Sequence, residues 1–339
     1  MNERAKKAVL VTGGCGFVGR HLVRSLLERG DDVWIIDNLF TGKHPDSWLK
    51  DGGESVTFIR EDVIDFFRRE MSEKPSFAPP YFHEVYHLAA IVGGRAVLIE
   101  NDPILVATNK IIDSLFFQWA VKNKDNIGRI LYVSTSVAYP KSMQDKGKHV
   151  AMKEKFLDLV KGETFGLPES IYGWIKLTGE YLAVTAAAKY GLKVACARPF
   201  SGYGEEQDFS YPIPSIALRA VRKENPLIVW GSGNQGRDFI YIDDFVSGLQ
   251  VAILKISDGS AVNIGTGEFV TFKDVARVMA ELVGYAPEVK GLEDKIEGSF
   301  AVYSDPSLLR SFGWRPKYSL RDGFKKVLEK VRLEKRDIT

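Results

Sequence analysis

Tyr172 and Lys176 have the residue types and the spacing of a pair that could move a proton to or from an alcohol. In a helix, residues i and i+4 share a face, so the ammonium would stand beside the phenol. A free phenol has a pKa of about 10, and an ammonium about 4 Å away, at an effective dielectric constant of about 20, lowers it by about three units. The pair predicts a tyrosine general base whose pKa is lowered by Lys176. The alternative is a surface pair, which the same spacing gives on any helix.

A cluster of hydroxyl-bearing residues, Ser134, Thr135 and Ser136, follows the apolar segment 130–133. A short apolar segment is typical of a buried strand, and ligands bind at the carboxyl ends of the strands of a parallel sheet. These hydroxyls are therefore predicted to hold a substrate oxygen against Tyr172. The alternative is that they cap a helix or a turn.

A glycine-rich turn lies between the apolar segment 8–11 and a helical pattern. Gly13 allows the tight turn, Gly16 allows the backbone to approach a pyrophosphate at the helix N-terminus, and Gly19 allows the helix to pack closely on the strand. Strand, glycine turn and helix together form the context that a dinucleotide-binding fingerprint requires. The sequence therefore predicts a bound dinucleotide.

Asp37 directly follows the next apolar segment, 32–36. A carboxylate at this position can accept hydrogen bonds from both hydroxyls of the adenosine ribose, and it would repel a 2′-phosphate. The predicted cofactor is therefore NAD and not NADP.

Short apolar segments alternate with helical patterns over the first two hundred residues. The segments are 8–11, 33–36, 56–59, 85–88, 130–133 and 193–197. This alternation predicts an α/β fold with a Rossmann-like, doubly wound parallel sheet, followed by a smaller α/β C-terminal substrate-binding lobe. The predicted NAD-binding domain comprises 1–200 with about 238–265, and the predicted substrate lobe comprises 201–237 and 266–335.

The composition is that of a soluble globular protein, with 339 residues, 45% of them hydrophobic, and a formal net charge of +2. The small charge argues against nucleic acid as a partner. We expect no membrane-spanning helix, because no segment approaches about 18 apolar residues. Cys15 and Cys196 are expected to be unpaired, and no secretory signal is indicated, so the predicted location is the cytoplasm.

The segment His83-Glu-Val-Tyr-His87 matches the His-Glu-x-x-His pattern of zinc proteases. That chemistry needs a helix, so that both imidazoles reach one metal ion. Because the motif runs into the strand-like segment 85–88, we expect a strand and no metal site.

The sequence resembles the extended short-chain dehydrogenase/reductases, in their branch of nucleotide-sugar epimerases, dehydratases and decarboxylases. The resemblance covers about residues 9–316. The matching segments are 12–19, 37–39, 62–63, 87–90, Asn109, 134–136, 172–176, 198–200, 230–244, 263–265 and 312–316. Within the branch, residues 89–94 and 139–141 look most like GDP-mannose 3,5-epimerase and GDP-fucose synthase, and UDP-sugar 4-epimerases are also similar.

The resemblance implies a catalytic triad of Thr135, Tyr172 and Lys176, a bound NAD and a nucleotide-diphosphate sugar as substrate. The implied cofactor contacts are Gly13, Gly16, Phe17, Val18, Gly19, Asp37, Asn38, Asp62, Val63, Leu88, Ala89, Ala90, Asn109, Tyr172, Lys176 and Phe200. The implied substrate contacts are Gly93, Gly94, Ser136, Ser201, Asn234, Gln235 and Arg237. The planar guanidinium of Arg237 suits bidentate contact with the diphosphate.

Val137 restricts the reaction that the resemblance implies. The 3,5-epimerases and fucose synthases carry a proton-transfer cysteine at this position, the decarboxylases carry glutamate, and the dehydratases carry Asp-Glu at the positions of Ser136 and Val137. Since valine exchanges no proton, the predicted reaction is inversion of one hydroxyl, at C4, through a transient ketosugar. The alternatives are a 3,5-epimerase, a 4-ketosugar reductase, a dehydratase or a decarboxylase.

Two further expectations concern the assembly and the loop after the last predicted strand. The resemblance implies a homodimer formed through the helix around residues 104–120 and the helix that bears Tyr172. Glu205 and Glu206 are expected to be exposed loop charges, with an acid/base role as the alternative. A protein of a different class, a cofactor sensor that binds NAD without turnover, also remains open.

Overall fold

The structure of this protein is a computed structural model that describes residues 6–49, 55–92, 103–145, 147, 149–168, 170–292 and 299–336. The strands are Ala8–Thr12 (β1), Asp32–Asp37 (β2), Val56–Arg60 (β3), Phe82–His87 (β4), Ile127–Val133 (β5), Leu157–Asp158 (β6), Glu163–Thr164 (β7), Val194–Pro199 (β8), Ser201–Tyr203 (β9), Leu227–Trp230 (β10), Gly236–Arg237 (β11), Phe239–Tyr241 (β12), Asp258–Ile264 (β13), Val270–Thr271 (β14), Val289–Leu292 (β15) and Ala301–Val302 (β16).

The helices connect these strands and close the chain. They are Phe17–Glu28 (α1), Val63–Glu70 (α2), Pro103–Lys122 (α3), Ile171–Tyr190 (α4), Pro212–Val221 (α5), Ile242–Lys255 (α6), Phe272–Val283 (α7), Ser307–Ser311 (α8) and Leu320–Arg336 (α9).

A seven-stranded sheet in the order β13-β8-β5-β4-β1-β2-β3 forms the centre of the fold, and all its pairs are parallel. The prediction of a Rossmann-like α/β sheet is confirmed. Six of these strands correspond to the predicted segments, whereas β13 was not among them. Because the strands are parallel, their carboxyl ends lie at one edge, so the glycine turn after β1, Asp37 and the hydroxyls after β5 all lie along that edge.

The sheet is buried on both faces, as its apolar strands require. Successive side chains of a strand point to opposite faces, and in β1 Val9 and Val11 belong to one hydrophobic cluster while Leu10 belongs to another. Side chains of α1, α5 and α6 join the first cluster, and those of α2, α3 and α4 join the second. Burying each such side chain stabilises the fold by about 1.5–3 kcal/mol. Helices on both faces make the sheet doubly wound, as predicted.

Shorter strands pair in small sheets after residue 200. β9 pairs with β12, β10 with β15, and β11 lies between β14 and β16. The helices α5, α7 and α9 pack on one another in this part of the chain. Apart from β12, which lies in the segment 238–265 assigned to the NAD-binding domain, these elements occupy the part of the sequence that was predicted to bind substrate.

The segment Ile104–Lys122 of α3 is long and apolar enough, by length and composition, to cross a membrane. The segment is nevertheless not a run of about 18 apolar residues, because polar residues such as Lys110 and Asp113 interrupt it. Within the fold, α3 packs against α2 and α4, and Phe116 and Trp119 are buried in the core. Nearly half of the segment is buried inside the fold, which is the environment of a core helix.

Candidate active site

The glycine turn between β1 and α1 has the geometry of a phosphate cradle. Gly13 has a φ of +71°, and a Cβ atom there would lie 2.7 Å from the backbone nitrogen of Ala89. A Cβ atom on Gly19 would lie 2.3 Å from the carbonyl oxygen of Gly13. Both positions therefore require glycine. A Cβ atom on Gly16 would meet that same oxygen at 3.4 Å and nothing nearer among the described residues, so the space beside Gly16 is open.

The first turn of α1 faces this open space without a side-chain cap. Gly16 is the N-cap residue, and Phe17 and Val18 supply the leading N–H groups of the helix. Uncapped N–H groups and the positive end of the helix dipole favour an anion. The turn therefore fits the pyrophosphate of a dinucleotide.

Asp37 is buried at the end of β2, beside the glycine turn. Its Oδ2 accepts a hydrogen bond from the N–H of Cys15 at 2.9 Å, and its Oδ1 accepts one from the N–H of Leu39 at 2.7 Å. Burial raises the pKa of Asp37 above its ordinary value, while these two N–H groups and the Arg20 guanidinium act to lower it. Each carboxylate oxygen keeps a further lone pair, so Asp37 can still accept hydrogen bonds from ribose hydroxyls.

Three predicted cofactor contacts, Asn38, Asp62 and Val63, lie near Asp37. The Nδ2 of Asn38 donates a hydrogen bond to Oδ2 of Asp62 at 2.7 Å. Asp62 also caps α2, because its Oδ1 accepts the N–H of Ile64 at 2.8 Å. Val63, the first residue of α2, is buried in the core, so it anchors the start of that helix.

The loop after β4 lies against the glycine turn. The N–H of Leu88 donates to the carbonyl oxygen of Thr12 at 3.1 Å, and the N–H of Ala89 donates to the Thr12 hydroxyl oxygen at 3.3 Å. Ala90 continues this loop and is partly exposed. The predicted cofactor contacts Leu88 and Ala89 are thereby held next to the glycine turn.

Asn109 is buried and holds the same loop. Its Nδ2 donates to the carbonyl oxygens of Ile91 and Val106 at 2.9 and 3.0 Å, and its Oδ1 accepts the N–H of Ile91 at 2.7 Å. Since both amide hydrogens are used within the fold, Asn109 anchors this loop to α3, and its cofactor contact stays a prediction. Gly93 and Gly94, predicted beside the sugar, lie outside the described residues.

Helix α4 begins beside the hydroxyl cluster because Gly173 leaves room for it. A Cβ atom on Gly173 would lie 2.4 Å from the carbonyl oxygen of Val137. The Ser170 hydroxyl caps the helix by accepting the N–H of Gly173 at 3.2 Å. Tyr172 is thereby held in the first turn of α4, next to the short 3-10 helix that starts after Thr135.

Thr135 and Ser136 are buried at the carboxyl end of β5. The Thr135 hydroxyl oxygen accepts the N–H of Val137 at 3.3 Å, so it caps the 3-10 helix. The same hydroxyl can donate its own hydrogen, which makes the cap compatible with a substrate contact. Ser134 instead donates to Glu180, whose carboxylate binds Arg198 at 2.6 Å.

Lys176 is buried and is paired with a carboxylate that the sequence did not predict. Its Nζ lies 3.4 Å from Oδ1 of Asp113 on α3, and 4.4 Å from the centre of the Tyr132 ring. The prediction from the sequence included only the positive charge of Lys176 beside Tyr172. A negative charge lies beside the ammonium and offsets it.

The pKa of Tyr172 is raised above its ordinary value, and the predicted lowering is not observed. Burial is the main cause, and the Asp113 carboxylate and the Tyr211 phenol act in the same direction. Repulsion is the second cause, because a phenolate at this position would be repelled by Asp113 while the charge of Lys176 is offset by the same carboxylate.

Arg237 lies in β11, half-buried, with its guanidinium fixed by the backbone. One of its terminal nitrogens donates to the carbonyl oxygens of Gly236 and Ser299 at 2.7 and 2.8 Å. The guanidinium carbon lies 5.8 Å from the centre of the Phe272 ring. A guanidinium held in this way suits contact with a diphosphate.

Gln235, a predicted substrate contact, makes a hydrogen bond within its own loop. It is buried, and its Nε2 donates to the carbonyl oxygen of Trp230 at 2.7 Å, so it stabilises the turn that precedes β11. Asn234 is exposed, and its Oδ1 accepts a hydrogen bond from Lys273 at 3.3 Å.

Phe200 and Ser201 connect the main sheet to the small sheets. Phe200 is buried against Tyr139, with the two ring centres 6.5 Å apart. Ser201 starts β9, is partly exposed and pairs with Phe239 of β12.

Glu206 was expected to be an exposed loop charge, and this is wrong. Its carboxylate lies 3.2 Å from Nε of Arg20 and 3.1 Å from a terminal nitrogen of Arg24, both on α1. Neighbouring Glu205 accepts a hydrogen bond from the Tyr241 hydroxyl at 2.8 Å. The loop after β9 is therefore tied to the helix that forms the cradle.

His83 and His87 lie in strand β4, as expected. A strand separates residues i and i+4 by about 13 Å, so the two imidazoles cannot share a metal ion. His87 is instead buried and stacked on Phe116, with ring centres 3.9 Å apart.

Comparison with known proteins agrees with this architecture. Residues 9–265 match the model of the NAD dependent epimerase/dehydratase family. The chain is 30% identical over 280 residues to the UDP-N-acetyl-alpha-D-glucosaminuronate decarboxylase of Bacillus cytotoxicus, which covers 82% of this chain and 80% of that protein. It is 29% identical over 335 residues to UDP-glucuronic acid decarboxylase 1 of Arabidopsis thaliana, with 97% and 71% of the two chains covered.

A solved structure gives the same result in three dimensions. The UDP-glucose 4-epimerase of Thermus thermophilus, in complex with NAD, superposes with a TM-score of 0.77 at 26% identity and covers 96% of this chain and 99% of its own. The cofactor of this family is NAD, as the glycine turn and Asp37 predicted. The chain belongs to the NAD dependent epimerase/dehydratase family.

Proposed function

We propose that this protein is a nucleotide-sugar epimerase that inverts the hydroxyl at C4 through a transient 4-ketosugar. The observation that carries the proposal is the placement of Tyr172 at the start of α4, against the segment that holds Thr135, with valine and not an acid at position 137. Such a site can exchange one proton with a carbinol, and it has no acid at the position where decarboxylases of the family carry glutamate.

In this proposal the chain supplies the proton chemistry. Tyr172 takes the proton of the C4 hydroxyl and later returns it, while the hydroxyl of Thr135 orients the substrate by a hydrogen bond. NAD, when bound, supplies the hydride acceptor and the positive charge of its nicotinamide ring. Lys176 binds the nicotinamide ribose with ammonium hydrogens that Asp113 does not use.

We propose that NAD binds at the glycine turn between β1 and α1. The N-terminus of α1, with Gly16 at its cap, holds the pyrophosphate, and Asp37 holds the adenosine ribose. We infer that residues 1–200 with about 238–265 form this cofactor domain. Residues 201–237 and 266–335 then hold the nucleotide sugar, with Arg237 on its diphosphate.

A decarboxylase is the second candidate, because relatives with that name match the chain at 29% and 30% identity. Valine at position 137 argues against it, since an aliphatic side chain neither donates nor accepts a proton. A 3,5-epimerase or a 4-ketosugar reductase would need a proton donor beyond the proposed triad.

Product analysis distinguishes these reactions. The purified protein, supplemented with NAD, is incubated with UDP-glucose and separately with UDP-glucuronate, and the products are followed by proton NMR. Formation of the C4 epimer supports the proposal, whereas release of carbon dioxide with a nucleotide pentose would establish a decarboxylase. Failure to convert either compound, or GDP-mannose, by a protein that binds NAD would favour the sensor.

We further propose that the protein is a homodimer. Apolar side chains are exposed on α3, at Ile104 and Ile111, and on α4, at Trp174 and Tyr181. A spacing of i and i+7 places each pair on one stripe of its helix, and α3 and α4 pack together. A second copy would cover these stripes. Light scattering should report a dimer that Tyr181→Glu weakens, and a monomeric wild type at micromolar concentration would contradict the proposal.

The proposed compartment is the cytoplasm. Cys15 and Cys196 are both unpaired and buried, which suits a reducing environment. Imaging of a fluorescent fusion in the source cell would test this location, and a signal outside the cytoplasm would contradict it.

A further inference from the structure

A series of polar contacts between buried residues links the end of β1 to helix α4. Asp113 is buried on α3, with its carboxylate 3.4 Å from Nζ of Lys176, and it accepts the hydroxyl hydrogen of Tyr132 at 2.6 Å. Its Oδ1 also lies 3.4 Å from Nε2 of His87, whose Nδ1 lies 2.8 Å from the Thr12 hydroxyl. Replacing a buried ion pair by apolar residues is often neutral or stabilising, so stability alone does not explain this carboxylate.

Asp113 and Lys176 are the charged members of this group near neutral pH. His87 is neutral because burial lowers its pKa, against the effect of Asp113. Burial raises the pKa values of the Tyr132 phenol and of the Cys196 thiol, which lies in β8, so both stay protonated. The group therefore contains one negative and one positive charge in contact.

Tyr172 lies one helical turn before Lys176, within electrostatic range of the negative member of the pair. Besides burial, Asp113 and the phenol of Tyr211, which directly precedes α5, raise the pKa of Tyr172. Two turns further along α4, Glu180 is bound by Arg198 at 2.6 Å, so these two charges offset each other. Asp113 is therefore the carboxylate that opposes ionisation of the phenol.

We propose that Asp113 is a positioning residue, which holds the ammonium of Lys176 one helical turn from Tyr172 and sets the pH at which Tyr172 ionises. The inference rests on the proposed function, because it takes Tyr172 as the base. A carboxylate in contact with an ammonium cancels most of its effect on a nearby phenol. The pair keeps Tyr172 protonated until a further positive charge, that of an oxidised nicotinamide ring, binds nearby. Tyr172 would therefore act as a base only when the site holds oxidised NAD.

The direct test titrates Tyr172 without substrate. Tyrosines are labelled with carbon-13 at Cζ, and the signal of Tyr172 is identified by its loss in Tyr172→Phe. Its midpoint is measured, with and without NAD, in the wild type, Asp113→Asn and Asp113→Glu. In Asp113→Asn we expect the midpoint to fall by about one pH unit, whereas Asp113→Glu, which keeps the charge, should stay close to the wild type.

Turnover provides a second readout. In Asp113→Asn, the acidic limb of the pH profile of kcat/KM for UDP-glucose should shift to lower pH, as the titration midpoint of Tyr172 does. KM should stay unchanged. The matched control is Asp31→Asn, because Asp31 is a buried carboxylate bound to Arg29 at 2.6 Å beyond the amino end of β2. This control should lower stability without moving the limb.

An unchanged or rising midpoint in Asp113→Asn would overturn the inference and leave Asp113 a structural residue. If that variant does not fold, Asp113→Ser leaves room for a water molecule beside Tyr132 and must show the same downward shift. Wild-type turnover in Tyr172→Phe would overturn the proposed function itself. An inactive Tyr172→Phe together with an unshifted Asp113→Asn overturns only the inference.

Discussion

The ammonium of Lys176 on helix α4 and the carboxylate of Asp113 on helix α3 lie 3.4 Å apart in the interior of the fold. This ion pair joins two helices of the same face of the sheet, and Lys176 lies one helical turn after Tyr172. Because the pair carries no net charge, Tyr172 is not ionised by its lysine alone, and burial raises its pKa. The chemistry of the site therefore depends on what binds above the pair.

Replacing Tyr172 by phenylalanine removes the proposed proton acceptor and leaves the ring. Turnover of the nucleotide sugar should fall by about 10²- to 10⁴-fold, which is the usual contribution of a general base. NAD affinity, measured by calorimetry, should stay near the wild-type value. Tyr181→Phe, on the exposed side of the same helix, is the matched control and should retain full turnover.

Two alanine substitutions in the glycine turn should have different effects. Gly16→Ala introduces a methyl group into open space at a φ of −69°, so we expect normal stability and an NAD affinity reduced by about tenfold or more. Gly13→Ala places a Cβ atom 2.7 Å from the Ala89 nitrogen at a φ of +71°, so the free energy of unfolding should fall by about 1–3 kcal/mol. Thermal unfolding and NAD titration of both variants check this. Undiminished NAD affinity in Gly16→Ala would show that the pyrophosphate lies elsewhere.

Arg237→Lys should weaken substrate binding selectively. A lysine keeps the charge but loses the planar, bidentate contact with a diphosphate, so KM for UDP-glucose should rise by about ten- to a hundredfold. NAD affinity should not change. Arg277→Lys, at an exposed position on α7, is the control. Equal loss of NAD and substrate affinity would indicate damage to the fold and not to a substrate contact.

Acid should destabilise the protein through His87. Burial holds the pKa of His87 below its ordinary value of 6.5, so below that pH the unfolded chain binds a proton that the folded chain does not. The free energy of unfolding should therefore fall as the pH drops through about 6.5, by at most about 1.4 kcal/mol per unit for this group. Urea unfolding at neutral and mildly acidic pH measures the slope.

Two variants, each with glutamine in place of one histidine, test whether His87 causes this pH dependence. His87→Gln should show a weaker pH dependence of unfolding than the wild type, because the group that differs between the folded and unfolded states is gone. His149→Gln, at an exposed position, should keep the wild-type slope. If all three proteins have the same slope, then protonation of His87 is not the cause.

Much of the fold was predictable because its signals are local. Each segment such as 33–36 or 130–133 is a short apolar run, and such runs in a parallel sheet are buried on both faces. Strand β13 was missed because it starts with Asp258-Gly-Ser, which is typical of a turn. It joins the sheet only through its pairing with β8.

The site was predictable where backbone geometry requires one residue type. Gly13 and Gly19 are such positions, since any side chain there would overlap the backbone. The partner of Lys176 was not predictable, because Asp113 precedes it by 63 residues and only the packing of α3 on α4 joins them. Its one signal was an acid between the apolar residues at 111–112 and 115–117. The contact of Glu206 with Arg20, over 186 residues, depends on tertiary structure in the same way.

The most direct measurement of the proposed reaction follows the hydrogen on C4. UDP-glucose carrying deuterium at C4 is incubated with the NAD-loaded protein in ordinary water, and the product is analysed by NMR and mass spectrometry. The account predicts UDP-galactose that retains the deuterium at C4, with no net formation of NADH. Deuterium released to the solvent, or a product that is not inverted at C4, would contradict it.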